Sequence, residues 1–287
     1  MIANPHPHHL LLLLLLGALL PGTTTAASMD THSIVGRRAL DFYGSVLGTA
    51  KHNLTQVIRR HPNAVLGGSD FPDFLYACGK YTDHHDAGEV SHWPVFQAVA
   101  ANYIRTQPSF HDGDVAQWTP DLQQLVSFVF GFTIHYVCDE LWEGLTAQLS
   151  SAGFIEMVDG VNLGLAGHGD QQENIGNQAA DFYAAWILNQ SNIHPWDRFF
   201  PTQDIVNIYH LTPEANYGPG LGNFTNVTLQ SLTECKVVFD LGLWATQEFG
   251  ALLYPLWARD WHQIPFAQEH LFDQPLSGIE DMAAITR

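Results

Sequence analysis

The sequence predicts an all-α protein with a single helical domain, and three observations support this. Apolar residues recur at intervals of three and four along much of the 287-residue chain, which is the spacing of one helix face. After an N-terminal leader, about 260 residues remain, enough for one large domain with a substantial core. No internal repeat or heptad run divides the chain. We therefore expect a helical bundle with ligand-bearing loops.

The N-terminal stretch is typical of a cleaved secretory signal. An unbroken run of leucines at residues 10–16 is followed by Pro21 and by small residues up to Ala27. The apolar run is shorter than the ~20 residues that span a membrane. We expect residues 1–26 to be a signal peptide, residues 27–287 to be the mature domain, and the protein to be secreted without an anchor.

Helical and irregular segments alternate along the mature chain. The irregular segments are rich in Gly, Pro, Asp and His, and the first is long enough to suggest a functional loop. The helices are expected around residues 34–43, 96–104, 125–141, 177–187 and 229–253, and the loops at 67–92, 160–176 and 212–226.

Net charge and cysteine content restrict the function classes. The formal charge is −18, from 29 acidic and 11 basic residues, and this repels polyanions, so a nucleic acid is not favoured as a partner. Three cysteines allow one disulfide and leave one thiol over. A bridge between Cys78 and Cys235 is one possibility, and Cys138 in an apolar helix is interpreted as a buried small hydrophobe.

Four tripeptides match the N-glycosylation pattern and fit a surface exposed to the secretory pathway. The acceptor residues are Asn53, Asn189, Asn223 and Asn226.

His135 and Asp139 are the first candidates for chemistry. Their spacing of four places both side chains on one helix face, where they could reach the same ion. The alternative is an ordinary helix-surface pair. Residues 126–134 are almost wholly apolar, however, and ionisable side chains on a buried helix need partners. A metal ion would satisfy both.

Further ligands are expected from the first predicted loop. Asp73 follows a turn-forming proline, and His92 stands at the entry to the next helix. Together with His135 and Asp139 they form a set of two histidines and two carboxylates that suits Zn²⁺. In the same loop, His84 and His85 are interpreted as solvated residues and Asp70 as a turn residue.

His32 lies close to the predicted cleavage site. Cleavage after residue 26 would make Ala27 the first residue of the mature chain and His32 the sixth. The free α-amino group of Ala27 could then bind a metal beside His32.

Five motifs, in this order, resemble those of the zinc-dependent phospholipase C family, and the resemblance covers nearly the whole mature chain. They are Thr31-His32, the segment 68–73 ending in Asp73, Ser91-His92-Trp93-Pro94, the segment 130–139 containing His135 and Asp139, and the segment 278–283.

This resemblance implies an all-helical fold that holds up to three zinc ions. By motif, the first zinc would be bound by Asp73, His92, His135 and Asp139. Asp139 would bridge to another ion held by His32 and the mature N-terminus. Asp73 would also act as the general base or orient the attacking water.

A third zinc site departs from the family pattern. No histidine follows Asp139 at the expected distance, and Glu143 is the alternative oxygen ligand. His168 matches a further ligand, but Gln172 stands where the family has an acid. Asp170 or Glu173 could replace that acid.

The resemblance implies a secreted zinc-dependent phosphodiesterase that hydrolyses phospholipid or glycosylphosphatidylinositol head groups, with peripheral membrane contact. The family also includes single-strand nucleases, so a zinc nuclease of the same fold is one alternative. The other is an inactive relative with a degraded zinc cluster, acting as a binding glycoprotein.

Overall fold

The computed structural model describes residues 29–45, 53–76, 84–111, 114–142, 195–212 and 224–260. Within these ranges the chain forms eight α-helices, short 3-10 turns and no strand, which confirms the predicted all-α class. The helices are α1 Met29–Ser45, α2 Asn53–Arg60, α3 Pro62–Phe74, α4 His84–Ser91, α5 Pro94–Arg105, α6 Pro120–Trp142, α7 Thr202–Leu211 and α8 Leu229–Asp260.

The prediction of a loop at residues 67–92 is wrong over most of that segment. Residues 67–74 belong to α3 and residues 84–91 form α4, so His84, His85 and Asp70 all lie in helices. The glycines and prolines that indicated a loop have other roles here. Pro72 lies inside α3, close to the end of that helix. Gly68 is required by a close contact between helices.

Helices α3 and α6 cross at two glycines. A Cβ added to Gly68 would lie 2.0 Å from the carbonyl oxygen of Phe128, and one added to Gly131 would lie 2.1 Å from that of Val65. Any side chain at either position would therefore collide with backbone. The two missing side chains bring the helix that carries Asp73 into backbone contact with the helix that carries His135.

An aromatic cluster forms the core beneath this crossing. Phe71 of α3 is fully buried, and its ring centroid lies 5.2 Å from that of Phe128 and 6.1 Å from that of Tyr209. The ring of Phe96 of α5 is tilted against that of Tyr209, with centroids 4.7 Å apart. This cluster connects α3, α5, α6 and α7, and so fixes α3 and α6, two of the helices that carry candidate ligands.

The remaining helix predictions agree where they can be compared. α1, α5, α6 and α8 cover the segments expected around residues 34–43, 96–104, 125–141 and 229–253. The helix expected at 177–187 and the loop at 160–176 lie outside the described residues. The loop expected at 212–226 is described only at its ends, where residues 224–226 form a 3-10 turn.

The described cysteines agree with the sequence analysis, whereas the acceptor role of the asparagines stays a prediction. Cys138 is a free, buried thiol, and Cys235 is disulfide-bonded, while Cys78 lies outside the described residues. Asn226 is exposed, as a glycan acceptor must be. Asn189 and Asn223 lie outside the described residues, and Asn53 begins α2.

None of the described helices has the length and apolar character needed to cross a membrane.

Candidate metal centre

Five side chains from four segments meet at one end of α3. α1 carries His32, α3 carries Asp73, and His92 follows α4 directly. α6 carries His135 and Asp139, one helical turn apart. These are five of the ligands expected from the sequence, and the structure brings all five together.

The Asp139 carboxylate stands at the centre of the three imidazoles. Its Oδ1 lies 3.2 Å from His32 Nε2. Its Oδ2 lies 3.0 Å from His135 Nε2 and 3.8 Å from His92 Nε2. The two oxygens therefore face different histidines, which is the arrangement that a bridging carboxylate needs.

Asp73 faces the same three rings from α3. Its Oδ1 lies 3.2 Å from His92 Nε2 and 3.9 Å from His135 Nε2. Its Oδ2 lies 3.5 Å from His32 Nε2. Within the described residues, nitrogen and oxygen atoms of His32, Asp73 and His135, and of His92, His135 and Asp139, form two groups whose ligand atoms all lie within 4.8 Å of one another.

Several of these buried polar atoms lack the hydrogen-bond partners that buried polar groups normally have. Within the described part of the chain, no hydrogen-bond partner is found for His32 Nε2, His135 Nε2, Asp73 Oδ2 or either oxygen of Asp139. Orphaned buried groups of this kind are rare, because each costs about 1–3 kcal/mol. Imidazole nitrogens and carboxylate oxygens are ligands that Zn²⁺ prefers, so the donor set fits a zinc centre.

Backbone carbonyls orient two of the imidazoles. His135 Nδ1 donates to the Ser69 carbonyl at 2.7 Å, and His92 Nδ1 donates to the Gly88 carbonyl at 2.8 Å. A carbonyl can only accept, so in the neutral rings the proton lies on Nδ1 and the lone pair lies on Nε2. Metal-binding histidines are held in this way.

Further side chains hold the ligand rings in place. The His32 ring stacks on His135, with ring centroids 3.8 Å apart. Tyr76 stacks on His92 at 5.4 Å and donates its hydroxyl to Glu89 at 2.8 Å. Sequence reasoning missed Tyr76 and Glu89. The only signal was that Glu89 precedes His92 by three residues in what proves to be a helix.

Charges within the cluster shift the pKa values of its members. Burial lowers the pKa of His32, but the Asp139 carboxylate outweighs it and raises that pKa well above 6.5. Burial also lowers the pKa of His92, which is raised overall by its hydrogen bond to Asp73 and by Asp139. Burial raises the pKa of Asp139, but His135 and His32 outweigh it and hold that pKa well below its usual range.

Zinc binding is expected to weaken as the pH falls from about 8 to about 5. A protonated imidazole cannot bind a metal. Because the pKa values of His32 and His92 are raised in the metal-free protein, proton competition should begin at a higher pH than for a free histidine. Chelator competition across this interval measures the effect. An affinity that stays constant would contradict the prediction.

The residues expected to complete the second and third zinc sites are not described by the structure. Glu143 lies just beyond Trp142, the last described residue of α6. The proposed terminal-amine ligand Ala27 also lies outside the described residues, as do His168, Asp170 and Glu173. Their roles stay predictions.

The fold and the five-residue cluster define a helical protein with a candidate metal centre. Residues 31–142 match the family model described as zinc dependent phospholipase C, and this confirms the resemblance found in the motifs. The matched segment contains all five clustered side chains. No solved structure matches the chain.

The chain is also similar, over most of its own length, to curated phospholipases. The chain is 28% identical over 274 residues to phosphatidylinositol-glycan-specific phospholipase D of Bos taurus, covering 93% of this chain and 29% of the relative. It is 26% identical over 262 residues to the Homo sapiens protein of that name, covering 89% of this chain and 27% of the relative. The chain thus spans less than a third of the length of these relatives.

Proposed function

We propose that this chain is a secreted zinc-dependent phosphodiesterase that hydrolyses phospholipid or glycosylphosphatidylinositol head groups. The observation that carries the proposal is the convergence of three imidazole Nε2 atoms on Asp73 and Asp139, most of them without hydrogen-bond partners in the described chain. The match to the zinc-dependent family supports phosphodiester chemistry. The names of the phospholipase D relatives support a glycolipid substrate.

His32, Asp73, His92, His135 and Asp139 would hold the metal. Zinc, when bound, acts as a Lewis acid on phosphoryl oxygens and lowers the pKa of a coordinated water. The protein orients two of the donors through the Ser69 and Gly88 carbonyls and buries most of the ligand side chains.

Asp73 is the proposed catalytic group. Its Oδ2 has no hydrogen-bond partner in the described chain and so can orient an attacking water or accept its proton. No covalent bond to the protein is needed.

Substrate is expected to reach the centre from the side of His92. The His92 side chain is 13% exposed, whereas those of His32 and His135 are wholly buried. Trp93 and Val95, which lie close to His92 in the chain, are exposed apolar residues. Among the five described ligands His92 is the most exposed, and an apolar surface beside it fits a lipid better than a polyanion. The net charge of −18 adds to this preference.

Zinc analysis combined with product analysis tests the proposal. The full-length protein should contain zinc and should hydrolyse phosphatidylinositol, phosphatidylcholine or a glycosylphosphatidylinositol-anchored reporter, and chelation should abolish the activity. Diacylglycerol as the product indicates C-type cleavage, and phosphatidic acid indicates D-type. N-terminal sequencing of protein recovered from the medium tests export and the start at Ala27.

The same assay decides between the alternatives. Cleavage of single-stranded DNA without lipid hydrolysis would replace this proposal by the nuclease alternative. The third alternative is an inactive relative that acts as a binding glycoprotein. It would be supported if the protein stays inert after zinc is restored and if Asp73→Asn has the same activity as the wild type.

A further inference from the structure

We propose that a buried network of Ser33, Asp70 and Arg198 is a positioning element of the metal centre. It ties the His32 turn of α1 to the Ser69 turn of α3, and thereby sets the distance between the ligands on these helices. The inference rests on the proposed zinc chemistry. None of the three residues was expected from the sequence to have this role, and Asp70 was interpreted as a turn residue.

The network joins three segments that are far apart in sequence. Ser33 Oγ donates to the Asp70 carboxylate, 2.8 Å from Oδ1 and 3.0 Å from Oδ2. Arg198 Nη2 donates to Ser33 Oγ at 2.7 Å, and Arg198 Nε donates to Asp70 Oδ2. Ser33 and Asp70 are fully buried, and Arg198 is 3% exposed. The geometry leaves little freedom for either helix to slide.

Each end of the network is one residue from a group that acts on the metal centre. Ser33 directly follows His32, whose Nε2 faces Asp73 and Asp139. Asp70 directly follows Ser69, whose carbonyl accepts from His135 Nδ1. A displacement of Ser33 against Asp70 would therefore move His32 relative to the other ligands.

α1 and α3 also approach closely at this point. A Cβ added to Gly36 would lie 3.0 Å from Ser69 Oγ, the flexible end of a side chain. Such packing brings the helices together but does not fix their register along the axis. The directed hydrogen bonds of Ser33 and Arg198 supply that register.

Stability is a weak reason for a buried ion pair. Removing both charges from water is expensive, and apolar residues of similar volume often stabilise a fold equally well. What apolar packing lacks is fixed direction. Arg198 also neutralises Asp70, so the network adds no net charge beside the Asp73 and Asp139 carboxylates.

Ser33→Ala tests the inference with the smallest change. It removes the hydroxyl that joins α1 to the network but leaves the Asp70–Arg198 ion pair. Zinc affinity, measured by chelator competition on metal-free full-length protein, should fall about tenfold or more, as for other outer-shell partners of metal ligands. The melting temperature of the metal-free protein should match that of Ser127→Ala, the control. Ser127 is equally buried and donates only to a carbonyl of its own helix.

The double variant Asp70→Leu/Arg198→Met separates positioning from stability. It leaves no unpaired buried charge, so it should fold, yet it should bind zinc about tenfold to a hundredfold more weakly. Wild-type zinc affinity in this variant, or equal affinities in Ser33→Ala and Ser127→Ala, would overturn the inference and leave the proposed function standing. A wild-type protein that binds no zinc would overturn the proposed function as well.

Discussion

Asp139→Asn is expected to lower both zinc affinity and kcat/KM by more than about a hundredfold, because loss of an outer-shell partner alone costs about tenfold to a hundredfold. Asp139 faces all three imidazoles, and neither of its oxygens has a hydrogen-bond partner in the described chain. An asparagine keeps the size of the side chain but removes its charge and one oxygen. Metal analysis and the rate of head-group release measure the two effects.

Asp204→Asn is the matched control for this variant. Asp204 lies on α7 and accepts a hydrogen bond from the Tyr103 hydroxyl at 2.7 Å. An amide oxygen can accept the same bond, so zinc content and activity should stay at wild-type values. Retention of zinc and activity in Asp139→Asn would show that the cluster is not the metal centre.

Gly68→Ala is expected to lower the free energy of unfolding by more than about 3 kcal/mol, above the usual 1–3 kcal/mol for overpacking. The new methyl group would lie 2.0 Å from the Phe128 carbonyl oxygen and 2.9 Å from the Gly131 Cα, both of them backbone atoms. α3 would have to move away from α6. Urea unfolding of the metal-free protein measures the loss, and failure to fold is the extreme form of the same result.

Gly36→Ala is the comparison for this prediction. Its nearest contact is the Ser69 hydroxyl at 3.0 Å, which can rotate, so the loss should be much smaller. Equal stabilities of Gly68→Ala and the wild-type protein would mean that the two helices do not cross as closely as the structure has them.

The local sequence pattern was sufficient to predict the fold class and several of the helices. The periodicity of residues 125–141 predicted most of α6, and the spacing of His135 and Asp139 on that helix depends only on helix geometry. Residue types in the first predicted loop indicated Asp73 and His92, and the position of the cleavage site indicated His32. The family resemblance, which the family match confirms, points to the same three residues. Their roles as ligands stay predictions.

Composition was misleading between residues 67 and 92. Gly67 and Gly68 indicated a loop because glycine is common there, but both lie inside α3. A Cβ at Gly67 would lie 2.2 Å from the Phe199 carbonyl oxygen, so this glycine too is set by a neighbouring segment. Glycine is required at these positions because other segments pack against them, so the neighbouring residues in the sequence do not reveal the requirement.

The sequence by itself determined which residue types could bind a metal, that His135 and Asp139 share a helix face, and that the chain is helical, because these properties depend on neighbours a few residues apart. Only the tertiary structure decided that Asp70 pairs with Arg198, 128 residues away, and that the Ser69 carbonyl orients His135. Both contacts depend on how closely α1, α3 and α6 pack. That packing is set by side-chain volumes summed over several helices, which no local spacing encodes.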